Sequence, residues 1–277
     1  MDKKDIKNLQ FVQLEILKFL DSICKENDIQ YYLMFGSLIG AIRHKGAIPW
    51  DPDIDVALFR DDYEKLCDVL IKRKDDYDYI IDHYLTNKKH ISPHAILRKK
   101  NTHIECNHLV NFIPPDMDGI YIDIFPIDYV SDNEKKQNKV IKQVHLLRRI
   151  IDFKVCILYE ESSTFKKVLK VVLKNLFRVV SFETINRKID AVLTKYNYTK
   201  DVNNKNVMTL TTVKTIYNAD DFGKGRTTLF EDFEVSIPQN AEKILEMTYG
   251  DYMTLPPEEE RWSFFESGIF KEIDYGE

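Results

Sequence analysis

Residues Phe35 to Phe59 read FGSLIGAIRHKGAIPWDPDIDVALF. Asp53 and Asp55 stand one residue apart at the head of the apolar run Ile54-Asp55-Val56-Ala57-Leu58. Residues i and i+2 of a strand face the same side of a sheet, so a strand here presents two carboxylates side by side. Two parallel carboxylates with nothing basic between them suit a hard divalent cation. Mg²⁺ is the usual guest where a substrate brings phosphates, as one or two ions, with Mn²⁺ an alternative. Gly36 and Ser37 form a small turn ahead of the pair, through which backbone N–H groups can approach phosphate oxygens. The pattern is that of a phosphoryl-transfer site.

Outward from this stretch, Ile6, Leu9, Gln13, Ile16, Leu17, Leu20, Ile23 and Cys24 follow helical spacing and predict an amphipathic packing helix over residues 5–26. Ile29–Phe35 reads as a strand feeding the Gly-Ser turn, and Leu38–His44 as a helix start that places the turn at a helix N-terminus. Asp61–Lys72 reads as a helix, and Tyr77–Asp82 and Ala95–Lys99 as strands. In Gly119-Ile-Tyr-Ile-Asp-Ile-Phe-Pro-Ile-Asp128, alternation sets Ile120, Ile122 and Ile124 on one face and Tyr121, Asp123 and Phe125 on the other. A lone charge inside an apolar strand costs several kcal/mol, on the order of 3, unless it is paired or holds a metal. Asp123 is therefore expected to face Asp53 and Asp55 as a third carboxylate and general base. Asp128 follows Pro126, where the strand should end, and reads as a turn or cap residue.

The composition fits a globular chain of 277 residues, with a net charge of −5 that argues against nucleic acid as a partner. Four separated cysteines without a Cys-x-x-Cys pair read as buried thiols in a reducing compartment. The N-terminus shows no secretory pattern and no apolar run is long enough to span a bilayer, so a cytoplasmic location is expected. Three parts are expected: 1–130 as a catalytic core, 131–205 as a helical insert and 206–277 as a C-terminal extension. Within the insert, Thr164–Phe182 lacks acidic residues. Lys166, Lys167, Lys170, Lys174 and Arg178 fall on one helical face, with an apolar face opposite. Such a helix can lie on an anionic membrane surface or pack on a core with its lysines solvated.

Other candidates carry two readings each. Arg43, His44 and Lys45 are a phosphate clamp or a solvated helix end favoured by the helix dipole. Trp50 packs the turn or offers a ring to a cationic ligand. His90-x-x-x-His94 and His103-x-x-Cys106-x-His108 have spacings open to zinc, but neither completes a four-ligand set.

The run Gly36-Ser-Leu-Ile-Gly-Ala-Ile-Arg-His-Lys-Gly-Ala-Ile-Pro-Trp-Asp-Pro-Asp-Ile-Asp55 closely resembles the LicD family of phosphocholine transferases, with its fukutin-like relatives. The likeness continues through Arg60-Asp-Asp-Tyr63, Gly119–Asp128 and Tyr249-Gly-Asp-Tyr-Met-Thr-Leu-Pro-Pro257. It runs in order along most of the chain, least distinctively in the middle. It implies an α/β, nucleotidyltransferase-like mixed sheet flanked by helices. It also implies transfer of phosphocholine from CDP-choline to a hydroxyl of a cell-surface glycan (teichoic acid, lipopolysaccharide or capsule precursor, in some cases lipid-linked), with release of CMP. Gly36 and Ser37 match the family turn for donor phosphates, Asp53 and Asp55 its metal pair, and Asp123 its third carboxylate. Pro52 interrupts the acidic run the family leads one to expect, while the aspartate pair survives. Another CDP-activated alcohol (ribitol or glycerol phosphate), a nucleotidyltransferase acting on a small molecule, and a silent binding protein remain as alternatives.

Overall fold

The computed structural model describes residues 3–106, 118–155, 171–172, 174–199, 205–210, 215–261 and 270–276. Helix α1 (Lys3–Glu26) buries the apolar stripe read from its spacing, with Ile6, Leu9, Ile16, Leu17, Leu20, Ile23 and Cys24 all in the core. Strand β1 is only Tyr32–Leu33, because Phe35 adopts a left-handed backbone (φ 51°) and opens a helix. That helix, α2 (Phe35–Ile39), continues as a π-helical turn over Gly40–His44. Gly36 and Ser37 therefore lie in its first turn, not in a separate turn before a helix at Leu38. Strand β2 (Asp55–Phe59) and helix α3 (Arg60–Lys72) follow, close to the ranges expected. After them come β3 (Tyr79–Asp82), β4 (Ala95–Lys99), β5 (His103–Cys106) and β6 (Tyr121–Tyr129).

The fold is a mixed α/β arrangement around one sheet in the order β1-β2-β6-β4-β3. Strands β2 and β6 are parallel, while β1 and β4 flank them antiparallel. Two strands from late in the chain, β7 (Asn206–Thr209) and β8 (Tyr217–Asn218), extend the same sheet from the far half of β6. Asn206–Thr209 and Tyr217–Asn218 thus build the sheet itself. Helices α4 (Glu134–Val155) and α5 (Phe182–Leu193) form a second core with β7 through Val140, Val144, Ile185 and Ile189. The hairpin β9 (Arg226–Phe230) and β10 (Phe233–Ile237) and helix α6 (Ala241–Tyr249) rejoin the main core. The short helix α7 (Glu258–Arg261) follows, and β11 (Phe270–Asp274) pairs with β5.

The expected end of β6 at Pro126 is corrected: the strand runs on to Tyr129. The N–H of Asp123 turns towards β2, so by alternation the imide nitrogen of Pro126 faces the opposite edge. That edge is paired with β4 up to Ile124 and with β7 from Ile127, and Pro126 occupies the break between them. The missing donor leaves no ladder bond unmade. Asp128 is then not a cap but a fully buried carboxylate. Arg60, 4% exposed, holds it through Nε (2.8 Å) and Nη2 (2.6 Å) and reaches Asp190 of α5 through Nη1 (2.8 Å). Asn197 donates to the same Asp128, and Tyr84 to Asp190. Two positions of the family likeness, Arg60 and Asp128, therefore join the sheet to the helical insert.

A second buried network centres on Asp82, which accepts from Asn87 (3.0 Å) and Arg98 (3.2 Å) and meets His90 Nδ1 at 2.9 Å. Burial opposes the charge of Asp82, but the hydrogen bond and charge of His90, with Arg98 and Asn87, overcome it and hold its pKa at about 2. The neighbouring His83 is pushed down to about 3, first by burial and then by His90 and Arg60. Cys24 and Cys67 are buried free thiols. Of the basic stretch Thr164–Phe182, residues 164–170 and 173 lie outside the described residues. In its remainder Lys154 donates to the carbonyls of Phe177 and Val180, while Leu176 and Val179 are exposed. Among the described residues no helix is long and apolar enough to cross a membrane.

Removing the guanidinium from between Asp128 and Asp190 strands a buried charge. Arg60→Leu is expected to cost about 4 kcal/mol in urea unfolding, and a loss near zero would show that the pair is not a structural tie. The depressed pKa of Asp82 gives a pH dependence of known sign. Its contribution, about 2 kcal/mol, is present above the ordinary carboxylate pKa and lost as the pH falls from about 4 towards 2. Asp82→Asn should be less stable than wild type at neutral pH and show a shallower fall of Tm across that acid window.

Candidate active site

The parallel register of β2 and β6 sets Asp55 directly beside Asp123. Asp53, two residues before Asp55, points to the same side. One carboxylate oxygen from each of the three lies within 4.8 Å of the others. The sequence expectation that these residues meet is realised by neighbouring strands, since Asp53 itself precedes the strand. The surrounding backbone is tied down. The Asp55 N–H donates to Ser37 Oγ (2.8 Å), the Met34 N–H to the Asp55 carbonyl (3.0 Å), and the Asp123 N–H to the Ile54 carbonyl (2.9 Å).

A fourth carboxylate joins them. Asp51 packs closely on Gly36, where a Cβ would meet its Oδ2 and require the Asp51 carboxylate to move. Burial, then repulsion from Asp55, Asp51 and Asp123, drives the Asp53 pKa well above the ordinary value. Asp55 is raised in the same way by burial, Asp123 and Asp51. Burial also raises Asp51, partly offset by a hydrogen bond with Asp53. Among the described residues no lysine or arginine forms an ion pair with Asp51, Asp53 or Asp55. An uncompensated carboxylate cluster with oxygen-only donors fits a hard divalent cation such as Mg²⁺ or Mn²⁺.

The carboxylates open on a cleft of about 280 Å³. Phe35 and Phe125 wall it, with ring centroids 5.3 Å apart in an edge-on contact. His94 lines it with Nε2 2.9 Å from Asp123 Oδ1 and its ring 4.3 Å from that of Phe125. Arg148 of α4 and Tyr249 at the end of α6 complete the lining. The Tyr249 phenol is raised by burial and by the nearby Asp55, Asp51 and Asp53, and stays protonated. A larger, mostly apolar hollow of about 470 Å³ lies on the other side of the loop, against Phe11 and Leu14, and contains none of the carboxylates.

Other sequence candidates lie elsewhere. Arg43 donates through Nη1 to the carbonyls of Tyr252 and Thr254. His44 stands edge-on to Trp50 at 5.9 Å, and Arg261 covers the Trp50 ring at 5.2 Å. The Lys45 carbonyl accepts from the Glu231 N–H at 2.8 Å. None of these four residues lines the carboxylate cleft. Ser37 offers its oxygen to the Asp55 backbone, and Gly36 its bare face to Asp51. The zinc spacings do not form a site among the described residues: His90 is held by Asp82 and the His94 carbonyl, and His103 pairs with Asp118. His108 lies outside them. The sequence reading missed Asp51 and Arg148, and met His94 only as a zinc spacing and Tyr249 only within the family likeness. Only Asp51 left a usable signal, as the first member of the i, i+2, i+4 series Asp51, Asp53, Asp55.

Residues 28–159 match the family described as LicD/FKTN/FKRP, nucleotidyltransferase domain. Over these residues the chain is similar to the LicD family. It is similar to the lipopolysaccharide cholinephosphotransferase LicD of Haemophilus influenzae, at 26% identity over 94% of this chain and 96% of that one. Shorter likenesses join it to two uncharacterized proteins. One, from Rickettsia prowazekii, is 34% identical over 20% of this chain and 21% of its own. The other, from Rickettsia typhi, is 35% identical over 17% and 16%. The LicD match takes in Gly36, the four aspartates, His94 and Arg148, whereas Tyr249 and helix α1 fall outside it.

Removing one charge from the repelling cluster should stabilise the metal-free protein. Asp53→Asn is expected to raise its stability by about 1 kcal/mol in thermal unfolding with a chelator present. A lower Tm would mean that the Asp53 carboxylate is paired in the folded protein.

Proposed function

We propose that this LicD-like enzyme transfers phosphocholine from CDP-choline to a hydroxyl of a cell-surface glycan and releases CMP. The observation that carries the reading is the half-buried Asp53, Asp55 and Asp123 cluster lining the cleft, in which no lysine or arginine forms an ion pair among the described residues. The Haemophilus relative, named as a lipopolysaccharide cholinephosphotransferase, supports the choice of phosphocholine and of a glycan acceptor. Asp53, Asp55 and Asp123 would hold Mg²⁺ or Mn²⁺. When bound, the ion neutralises the diphosphate oxygens of the donor and the charge that develops on leaving CMP.

The protein's own groups account for the rest. The acceptor hydroxyl oxygen attacks the choline-bearing phosphorus, and the bond from that phosphorus to the oxygen of CMP breaks. Asp123 orients the hydroxyl and takes its proton, while His94, at 2.9 Å, fixes the direction of the Asp123 carboxylate. Arg148 supplies a cation to the donor phosphates, the role the sequence reading gave to Arg43, His44 and Lys45. Phe35, Phe125 and Tyr249 line the cleft with aromatic faces, which suit a quaternary ammonium better than a polyol and favour choline over ribitol or glycerol. The reading places the enzyme in the cytoplasm at the inner face of the membrane. The lysine-rich composition of 164–182 and the exposed Leu176 and Val179 support that placement.

The test is CMP release from CDP-choline with Mg²⁺ and a lipid-linked glycan fraction. Asp53→Ala and Asp55→Ala are each expected to lower turnover more than about 100-fold. Arg148→Ala should raise KM for the donor about tenfold, the worth of one charge-assisted hydrogen bond, and change kcat less. Pyrophosphate release from CTP or ATP in place of CMP would reassign the protein as a nucleotidyltransferase.

A further inference from the structure

Gln13 lies on the apolar stripe of α1 and is 1% exposed. A primary amide is costly to bury, and among the described residues its Oε1 has no partner. Its Nε2, by contrast, is fully used: it donates to the Pro52 carbonyl at 2.7 Å and to the Tyr121 carbonyl at 3.2 Å. Pro52 immediately precedes Asp53, and Tyr121 stands two residues before Asp123 on β6. One NH₂ group therefore joins the two backbone segments that carry opposite sides of the carboxylate cluster. Gln10, one turn earlier on α1, donates to the carbonyls of Ile48 (2.8 Å) and Asp51 (2.9 Å), both within the acidic loop. Its amide anchors that loop to α1 without linking it to β6.

We propose that Gln13 is a positioning residue for the cation site, setting the distance between the Asp53 loop and β6 against the mutual repulsion of the carboxylates. The inference rests on the reading of Asp53, Asp55 and Asp123 as a cation site. It concerns a helix outside the residues that match the family. Repulsion acts to part Asp53 from Asp123. The side chains of the loop cannot oppose it, because those that face the cluster are themselves acids. A donor from α1 can, because it bonds to a carbonyl of each segment. An apolar residue of equal volume would fill the same space and drop the link.

The test is Mn²⁺ titration of the full chain, followed by the free-ion EPR signal, with circular dichroism reporting the fold. Gln13→Met keeps the volume and should bind Mn²⁺ about 10- to 100-fold more weakly while remaining folded, the loss typical of groups that orient metal ligands. Gln10→Leu, which removes no link between the two segments, should lose less than Gln13→Met. Gln13→Glu keeps length and polarity but lacks the donor at neutral pH, and should weaken binding where an apolar side chain fails to fold. Wild-type affinity in a folded Gln13 variant overturns the positioning role, as does failure of both Gln13 variants to fold, which would make the residue purely structural. Absence of Mn²⁺ binding in the wild type would instead overturn the cation site itself.

Discussion

The registration of Asp55 against Asp123 on parallel neighbouring strands forces two half-buried carboxylates together, and Asp51 and Asp53 add to the same crowd. Left alone, such a cluster would protonate or push its strands apart. Its surroundings oppose both outcomes by fixing the backbone. The hydroxyl of Ser37, the carbonyl of Ile54, the N–H of Met34 and the amides of Gln10 and Gln13 each hold a main-chain group next to an aspartate. The side chains are left facing the cleft, where no lysine or arginine among the described residues forms an ion pair with Asp51, Asp53 or Asp55. The cost of gathering like charges is met during folding, and in the proposed reading a divalent cation would relieve it.

The stability that tolerates this cost comes from elsewhere in the molecule. Ile122 and Ile124 alternate with Tyr121, Asp123 and Phe125, so the strand that carries a reacting face also carries a fully buried one. Behind it, α1 and α3 close the main core. Arg60 then fastens the far end of β6 to α5 through Asp128 and Asp190. The same strand thus ends in a carboxylate held by a guanidinium at Asp128 and carries at Asp123 one that meets the imidazole of His94. Among the described residues only the first forms an ion pair with an arginine. That contrast separates the two carboxylates more sharply than burial does, because both are largely removed from water.

What could be read from the sequence follows the range of the interactions involved. Period-two alternation is local, so the face of Asp123 and the spacing of Asp53 and Asp55 were legible, as were the stripe of α1 and the bounds of β4. The likeness to the LicD family supplied the sheet type and matched Asp123 to a third carboxylate that alternation had already pointed to. Contacts made by distant segments were not legible. His94 reaches Asp123 only because β4 lies antiparallel to β6, and Arg148 and Tyr249 arrive from helices far along the chain. Asp128 was misread because a proline rule made for continuous ladders was applied to a strand whose partner changes at that residue. Gln13 was visible only as a polar interruption of an apolar stripe, with nothing local to show which carbonyls it would meet.

The basic patch Arg43-His44-Lys45 shows how a residue type can be right and its role indirect. Arg43 gives its guanidinium to the carbonyls of Tyr252 and Thr254, in the segment that follows α6. That segment begins where Tyr249 enters the cleft. Burial and Arg261 both lower the pKa of Arg43, and it keeps its proton because no arginine gives it up near neutral pH. Its charge is thus directed to main-chain oxygen. By this route the helix that contains Gly36 and Ser37 holds at its far end the segment that follows Tyr249. Arg43 thus links the two sides of the cleft, one inside the family match and one beyond it. A cation that a sequence motif suggests for substrate acts here on the protein, and the arginine that lines the carboxylate cleft, Arg148, comes from α4.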